Sequence, residues 1–343
     1  MPSMSLSGIL NQKKHYKDTI KSLLSDSRPK VAFHFNCCDG IVSAAIVYKL
    51  FEKTDLLFLP IDYPIIRDKD IALDLSQSNW HTIVDLEPFN SEELELFADH
   101  HISNQNKEIK AKTSYFTAGA PSTAFLLSQA FHSQLPEHLL ELVKMTEITD
   151  TASYKIPPPT VFAEDQEKYT WDERIWLLED ACKTTFTVKN HQKLVKILAD
   201  EGWEGLWKKD ILKRIKNLRY GKSQAKDIAN QIEITNFPII IDKPIHHNLT
   251  FIAYEIMRQG SIGTAYLTVY PSITRISLRL SKSLSDEEIE KYRVDLLAKK
   301  MSGGGHKPAS GAQTENLEIA LETIQKWVKK VGLSSSVADL RDF

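Results

Sequence analysis

The chain has 343 residues, enough for two domains with separate hydrophobic cores, and 42% hydrophobic and 26% charged residues are typical of a globular protein. A formal net charge of −2 excludes a histone-like protein or one that coats long nucleic acid. Three cysteines are too few for a disulfide framework, and no apolar run matches a signal peptide or a membrane span, so we expect a cytoplasmic protein without a membrane partner.

From about residue 30, short apolar runs alternate with helical periods. Four of these runs predict buried strands, at residues 31–35, 56–61, 81–85 and 94–98. Strands that alternate with helices favour a parallel sheet, which binds ligands at the carboxyl ends of its strands. Asp39, Asp85 and Asp99-His100-His101 lie at or just after such ends, so we expect them to share one site.

After Ser122, a candidate helix cap, the pattern becomes helical. Helices are predicted at residues 124–131, 139–149 and, after a break at residues 157–159, from 171 to about 232. Thr170 and Glu173 have the spacing of a capping box at the start of the last of these.

The stretch from Trp203 to Lys226 is rich in lysine and arginine and begins with two tryptophans. One interpretation is a surface that follows a nucleic-acid backbone. The other is an amphipathic helix whose charges face water and whose tryptophans lie in the core. The pattern favours the second interpretation, because charge runs commonly face solvent.

From Asn236 the pattern changes again. Strands are predicted at residues 238–241, 249–254, 264–269 and 274–280, and a last helix at 317–331. Ser285 and Glu288 predict a second capping box, and the helix that follows ends at a run of glycines. This part of the chain therefore predicts a second, smaller α+β domain.

The glycine run reads Gly303-Gly304-Gly305-His306. Without Cβ atoms the backbone can turn sharply and approach a ligand, and exposed amides favour anions such as phosphate. A helix C-cap followed by a turn is the alternative. Upstream, Asp99-His100-His101 offers an oxygen and two nitrogens to a divalent metal. Together the two motifs indicate metal-assisted attack of water on a phosphate ester.

These residues resemble the DHH phosphoesterase superfamily, in the branch with a C-terminal DHHA1 domain. The matching positions are His34 to Gly40 for motif I, Asp85 for motif II, Asp99-His100-His101 for motif III, Asp150 for motif IV and Ser302 to Ala312 for the DHHA1 signature. The resemblance implies an α/β fold. Residues 28–235 would form a parallel-sheet DHH domain with a helical extension over about 155–235, and residues 236–335 a smaller α+β DHHA1 domain.

The resemblance also implies roles for individual residues. Two metal ions, usually Mn²⁺, would be held by His34 and Asp85 at one position and by Asp39, Asp85, His100 and Asp150 at the other. His101 would contact the substrate phosphate, and Asp99 would orient an imidazole. In the second domain, Arg279, Gly304, Gly305 and His306 would bind the phosphate, sugar or base of the substrate.

Cys37 departs from the family pattern, because most members have an aspartate at this position. A thiolate can bind a divalent ion but prefers ions softer than Mn²⁺. The sequence leaves several options open: Cys37 is a ligand of Zn²⁺ or Fe²⁺, it weakens this position, it leaves one metal only, or it is a small buried residue. Mg²⁺ is a further option for the cluster.

We expect a metal-dependent phosphodiesterase or phosphatase that acts on short RNA or DNA oligonucleotides or on small nucleotides such as 3′-phosphoadenosine 5′-phosphate. The balanced charge argues against a long electrostatic track. One alternative is a phosphodiesterase of cyclic or linear dinucleotides. Another is a nucleic-acid-binding accessory protein with a weakened site. The sequence leaves the cleavage polarity and the oligomeric state open, with a homodimer as one option.

Overall fold

The computed structural model describes residues 6–244 and 247–342. They form two compact units, a larger one over Asn11–Arg219 and a smaller one that combines Leu6–Leu10 with the described residues from Tyr220 onward. No helix in the described part of the chain is both long enough and apolar enough to cross a membrane.

The larger unit contains a five-stranded sheet in which all strands are parallel, with the order β2-β1-β3-β4-β5. Its strands are β1 (Lys30–His34), β2 (Leu57–Ile61), β3 (Trp80–Val84), β4 (Leu94–Asp99) and β5 (Ala111–Phe116). The parallel sheet that the sequence predicts is confirmed. Strand β5 was not among the predicted strands.

Helices cover both faces of this sheet. They are α1 (Leu6–Leu24), α2 (Cys38–Leu50), α3 (Tyr63–Ile66), α4 (Ala72–Gln77), α5 (Thr123–Phe131), α6 (Glu137–Asp150), α7 (Trp171–Lys183), α8 (Val188–Glu201) and α9 (Lys209–Ala229). Successive residues of a strand point to opposite faces. Val31 and Phe33 therefore pack in a core with α2 and α5 to α8, whereas Ala32 packs in a core with α1 and α4.

The smaller unit contains a mixed six-stranded sheet of order β11-β6-β7-β8-β10-β9. Its strands are β6 (Ile239–Asp242), β7 (Gly263–Val269), β8 (Thr274–Leu280), β9 (Gly304–His306), β10 (Ala309–Thr314) and β11 (Val337–Asp339), and its helices are α10 (Leu249–Arg258), α11 (Asp286–Tyr292), α12 (Val294–Lys299) and α13 (Leu317–Lys330). Strands β11, β6 and β7 are parallel, and the remaining pairs are antiparallel. A second α+β unit is thus confirmed.

One predicted strand of this unit is wrong. Residues 249–254 begin helix α10. Leu249, Ile252, Ala253 and Ile256 are its buried apolar residues, with the three- and four-residue spacing of one helix face. Asn248 caps the helix, because its side chain accepts a hydrogen bond from Phe251 N.

Two other predictions need correction. The helical stretch predicted from 171 to about 232 is three helices, α7, α8 and α9. The glycine run is not only the end of a helix, since Gly304–His306 form the edge strand β9 paired with β10. Both predicted capping boxes, at Thr170–Glu173 and Ser285–Glu288, are present.

Candidate metal centre

The candidate site lies at the carboxyl edge of the parallel sheet. His34 ends β1, Asp85 directly follows β3, and Asp99 ends β4 and is followed by His100. Because parallel strands end at the same edge, these side chains come together from three adjacent strands. Asp85 has a φ of 56°, a left-handed conformation that aspartate tolerates better than most residues.

Gly40 allows the turn from β1 into α2 to be tight. A Cβ atom at this position would lie 2.5 Å from the carbonyl oxygen of His34 and 2.7 Å from its amide nitrogen. Only glycine therefore lets the first turn of α2, which carries Asp39, approach the end of β1 so closely. In the same turn, Asn36 is left-handed, with a φ of 53°, and Cys37 is the N-cap residue of α2.

Asp39 is fully buried, and its carboxylate accepts hydrogen bonds from Thr123 N at 2.6 Å and Ala124 N at 2.8 Å. These amides begin α5, whose N-terminus favours a negative charge. Burial raises the pKa of Asp39 well above its usual range, and the charges of Asp85 and Asp150 add to this, against the two amide hydrogen bonds.

Asp85 lies at the centre of the site. Its carboxylate is 3.3 Å from His34 Nδ1, 3.7 Å from His100 Nε2 and 3.7 Å from His101 Nδ1. Burial acts to raise the pKa of Asp85, but contact with His34 and the charges of His101 and His100 lower it below its usual range. The residue is therefore suited to stay ionised and to be shared between two neighbouring sets of ligands.

His100 is held in one tautomer. Its Nδ1–H donates to the carbonyl oxygen of Ala120 at 2.8 Å, which leaves the lone pair of Nε2 directed into the site. There Nε2 lies 3.5 Å from Asp39, 3.7 Å from Asp85 and 3.4 Å from Asp150, which ends α6. A lone pair surrounded by three carboxyl groups is the arrangement of a metal ligand.

His101 is oriented by Asp99. Its Nδ1–H donates to Asp99 Oδ1 at 2.7 Å, and Asn104 fixes the other carboxylate oxygen with a 2.8 Å hydrogen bond. The hydrogen bond to Asp99 raises the pKa of His101 above its usual value, although burial of the ring acts to lower this pKa. The ring is 32% exposed, so Nε2 can meet a substrate.

The donor atoms fit divalent cations. His34 Nδ1, Asp85 Oδ2 and His100 Nε2 are buried and have no hydrogen-bond partner among the described residues. Over the same residues, no lysine or arginine forms an ion pair with the carboxylates of the site. Buried acceptors that face one another without a donor are costly, and a metal ion would satisfy them.

The side chains form three overlapping groups, each with its ligand atoms within 4.8 Å of one another. These groups are His34–Cys37–Asp85, Asp85–His100–His101 and Asp39–His100–Asp150. The candidate metal ligands and His101 therefore lie in one cluster, and Asp99 adjoins it through its hydrogen bond with His101. In Cys37, burial and the carboxylates of Asp85 and Asp39 raise the pKa of the thiol in the absence of metal.

The candidate residues of the smaller unit lie side by side on its sheet. In the strand register His306 pairs with Ala309, which in turn pairs with Arg279. Opposed residues of antiparallel strands project from the same face, so His306 and Arg279 are about 10 Å apart across two strand spacings. Gly304, Gly305 and His306 are exposed, and Arg279 Nη1 donates to the carbonyl oxygens of Leu278 at 3.0 Å and Ser310 at 3.4 Å.

A scan against protein-family models found no match, and neither did a search of curated proteins. Among solved structures, the pGpG-specific phosphodiesterase PggH from Vibrio cholerae is 14% identical with a TM-score of 0.62, over 89% of this chain and 99% of PggH. A DHH domain of a member of the S1p family of ribosomal proteins is 13% identical with a TM-score of 0.54, over 95% of this chain and 91% of that one. The chain therefore shares the fold of these DHH-domain proteins.

RecJ from Thermus thermophilus, solved in complex with Mn²⁺, is a third match, 13% identical with a TM-score of 0.52. The match covers 100% of this chain but only 58% of RecJ. At these identities the likeness concerns the fold. In the DHH fold of this chain, the cluster described above lies where the five parallel strands end.

Several contacts of the candidate metal centre were not predicted from the sequence. Tyr63, at the start of α3, packs edge-on against His34 with ring centroids 5.3 Å apart, and Arg67 lies over the Tyr63 ring at 5.4 Å. Tyr63 lies just after the predicted second strand, and Asp85 lies at the end of the predicted third strand. This shared placement at the strand ends could have identified Tyr63 as a residue near the site. The amides of Thr123 and Ala124 were also missed, although Ser122 was recognised as a helix cap.

Proposed function

We propose that the protein is a metal-dependent phosphoesterase that hydrolyses short oligonucleotides or small nucleotide phosphates. One observation carries this proposal: the unpartnered ligand atoms of His34, Asp85 and His100 converge in a buried cluster at the carboxyl edge of a DHH-fold sheet. The donor set of carboxylates and imidazoles suits divalent ions and is uncommon as a purely structural feature.

Two neighbouring metal positions are proposed. One is formed by Asp39, His100 and Asp150, the other by His34, Cys37 and Asp85, with Asp85 shared between them. Divalent ions bound here would lower the pKa of a water molecule and neutralise charge on the phosphoryl oxygens. Mn²⁺ suits the first position, because three of its four proposed ligands, Asp39, Asp150 and the shared Asp85, are carboxylates.

His101 and Asp99 are proposed as the catalytic pair that acts on the phosphoryl group. Asp99 holds the proton on Nδ1 of His101 and raises the pKa of the ring, which favours the imidazolium form. The Nε2–H group can then donate to a phosphoryl oxygen as negative charge builds up in the transition state. Because Asp99 and Asn104 fix the ring in advance, little reorganisation is needed.

The smaller unit is proposed to bind the substrate, as a DHHA1 domain over about residues 236–335, while residues 28–235 supply the metal-binding catalytic domain. Arg279 and His306 offer a guanidinium and an imidazole in one row of the sheet. A Cβ at Gly304 would meet no described atom within 4 Å, so packing does not demand glycine there. A ligand that approaches the Gly304-Gly305 backbone closely is the proposed reason.

Short substrates are supported by the charges of the larger unit. Four of the basic residues around α9 form ion pairs with acids: Lys208 with Glu201, Arg214 with Asp210, Lys216 with Glu164 and Arg219 with Asp180. Trp203 is buried in the core. These residues therefore offer no long track for a nucleic-acid backbone.

The test is a hydrolysis panel with the full chain and added Mn²⁺. Its substrates are 3′-phosphoadenosine 5′-phosphate, linear pGpG, di- to pentaribonucleotides, longer single strands of RNA and DNA, and cyclic dinucleotides. We expect cleavage of the short linear substrates, strong dependence on the divalent ion, and weakened substrate binding with unchanged metal content in Gly304→Ala and His306→Ala. Metal-independent cleavage, or none with any substrate, would contradict the proposal.

A dinucleotide phosphodiesterase is the second candidate, and the likeness to PggH favours it, since that protein is named for its action on pGpG. In this case pGpG or cyclic dinucleotides would be preferred over longer oligonucleotides by a large factor. A nucleic-acid-binding protein with a decayed site would instead bind no stoichiometric divalent ion. Metal analysis of the purified protein separates this last alternative from both enzymes.

A further inference from the structure

The two proposed metal positions differ in the chemistry of their ligand atoms. Asp39, His100 and Asp150 offer two oxygens and a nitrogen, whereas His34, Cys37 and Asp85 offer a nitrogen, a sulfur and an oxygen. Thiolates select softer ions, while carboxylates suit hard ions such as Mn²⁺ and Mg²⁺. The difference rests on one residue, Cys37.

The sulfur-containing position has the features of a built site. The Asp85 side chain is 1% exposed, and its Oδ2 lies 3.3 Å from His34 Nδ1. Neither atom has a hydrogen-bond partner in the part of the chain that the structure describes. The Cys37 sulfur completes a triangle of ligand atoms within 4.8 Å of one another. Three protein ligands of this kind match zinc sites that keep a further position open.

Of the two adjacent cysteines, only Cys37 belongs to this group. Cys37 is half-buried and is the N-cap residue of α2, and its sulfur lies within 4.8 Å of the ligand atoms of His34 and Asp85. Cys38 is buried in the core, where a hydrogen bond with Cys182 and burial raise the pKa of its thiol. The pair thus supplies one candidate ligand and, beside it in the chain, a thiol suited as a control.

We propose that the protein is a mixed-metal enzyme, in which His34, Cys37 and Asp85 bind a thiophilic ion, Zn²⁺ or Fe²⁺, while Asp39, His100 and Asp150 bind Mn²⁺ or Mg²⁺. The inference rests on the proposed function for the presence of a two-metal site. It follows that Mn²⁺ alone fills the cluster incompletely. One equivalent of the thiophilic ion per chain should also bind more tightly than the Mn²⁺ or Mg²⁺ ion at the second position.

The test uses Co²⁺ as a spectroscopic substitute in the metal-free full chain. A thiolate ligand gives an intense sulfur-to-cobalt charge-transfer absorption that oxygen and nitrogen ligands do not give. We expect this absorption to saturate at one equivalent in the wild type and in the control Cys38→Ser, and to be absent in Cys37→Ser and Cys37→Asp. In competition between Zn²⁺ and a large excess of Mn²⁺, one Zn²⁺ per wild-type chain should resist displacement, whereas in Cys37→Asp both positions should lose Zn²⁺ at a lower excess of Mn²⁺.

Several outcomes would overturn the inference: no charge-transfer absorption in the wild type, its persistence in Cys37→Ser, or loss of Zn²⁺ at the same excess of Mn²⁺ in the wild type and in Cys37→Asp. Circular dichroism shows whether each variant is folded, and Cys37→Asp keeps the test valid should Cys37→Ser fail to fold. The absorption requires no substrate. An active enzyme without it rejects this inference alone, whereas a thiolate-bound metal without any hydrolysis rejects the proposed function alone.

Discussion

Asp85 Oδ2 lies 3.3 Å from His34 Nδ1, and in the described part of the chain neither atom has a hydrogen-bond partner. His34 ends β1 and Asp85 directly follows the adjacent strand β3, so the pairing of these strands brings the two residues together. A carboxylate oxygen that is 1% exposed and unpaired is unfavourable by itself. A cation shared by both atoms would remove this cost, and that is the role we propose for the pair.

The first prediction concerns Asp85→Asn. Asparagine has the same shape and tolerates the left-handed φ of 56° at this position, so the fold should remain, whereas alanine would add backbone strain. Loss of the shared carboxylate should lower kcat/KM by about a thousandfold or more, because metal ions supply several kcal/mol of transition-state stabilisation. Activity and bound metal per chain are the measurements. Near-normal turnover would refute the assignment.

Gly40→Ala tests the tight turn that brings Asp39 to His34. The new Cβ would lie 2.5 Å from the carbonyl oxygen of His34, so β1 and α2 must move apart. We expect a loss of about 1–3 kcal/mol in the free energy of unfolding, with weaker metal binding. Gly221→Ala in α9 is the matched control, since its Cβ meets no described atom within 4 Å. That substitution should stabilise the helix by about 0.5–1 kcal/mol. Equal effects at both glycines would contradict the prediction.

That Asp39, Asp85 and Asp99-His100-His101 lie close together could be predicted from the sequence, because they lie at or just after the ends of short apolar runs, and parallel strands end at one edge. The conformations that complete the site could not. The left-handed backbone of Asn36 and Asp85 is imposed by packing around the strand ends, and neither residue type requires it. The capture of Asp39 by the amides of Thr123 and Ala124 joins segments 84 and 85 residues apart.

The errors in secondary structure have similar causes. Residues 249–254 contain β-branched and aromatic side chains that favour a strand, but burial at helical spacing and the Asn248 cap decide for a helix. Strand β5 has no fully buried residue, so its sequence shows almost no apolar pattern. Its strand conformation depends on the pairing with β4. Tertiary contacts therefore override local preference in both cases.

Asp99→Asn should separate orientation of His101 from metal binding. Asp99 accepts the Nδ1 hydrogen bond of His101, and this hydrogen bond raises the pKa of the ring. With a neutral amide in its place, the ring loses both its fixed orientation and its preference for the charged form. We expect kcat to fall by about 10–100-fold with metal content unchanged. Loss of metal in this variant would show instead that Asp99 supports the ligands.

Tyr63 and Arg67 are predicted to contact the substrate beside the metal positions. The Tyr63 ring lies 5.3 Å from the His34 ring, and the Arg67 guanidinium lies over Tyr63 at 5.4 Å. Arg67 is exposed and has no carboxylate partner among the described residues, which leaves its charge available for a phosphate. Arg67→Gln should raise KM by about tenfold, the loss of about 1.4 kcal/mol, with little change in metal content. Arg67→Lys should restore part of the affinity, and an unchanged KM in Arg67→Gln would refute the contact.

His191 on α8 should make the stability of the protein depend on pH. The ring is completely buried, and Nδ1–H donates to the carbonyl oxygen of Thr187 at 2.9 Å, while Nε2 lies 3.0 Å from the side-chain amide of Asn36, whose NH₂ group can donate to the neutral ring. Burial lowers the pKa of His191 to about 4, although the hydrogen bond with Thr187 acts to raise it. Above about pH 6.5, the ring is neutral in both the folded and the unfolded chain, and its titration contributes nothing.

As the pH falls from about 6.5 towards 4, the unfolded chain takes up a proton that the folded chain does not, so stability decreases. At pH 5 the free energy of unfolding has decreased by about 2 kcal/mol. Below pH 4 the decrease reaches its full value of about 3 kcal/mol. His191→Gln removes the titration but keeps an amide beside Asn36. Urea unfolding at pH 7.5 and pH 5 should therefore show a smaller decrease in this variant than in the wild type. His132→Gln, on the surface, controls for the loss of an imidazole. Equal decreases in wild type and His191→Gln would show that His191 is not buried in its neutral form.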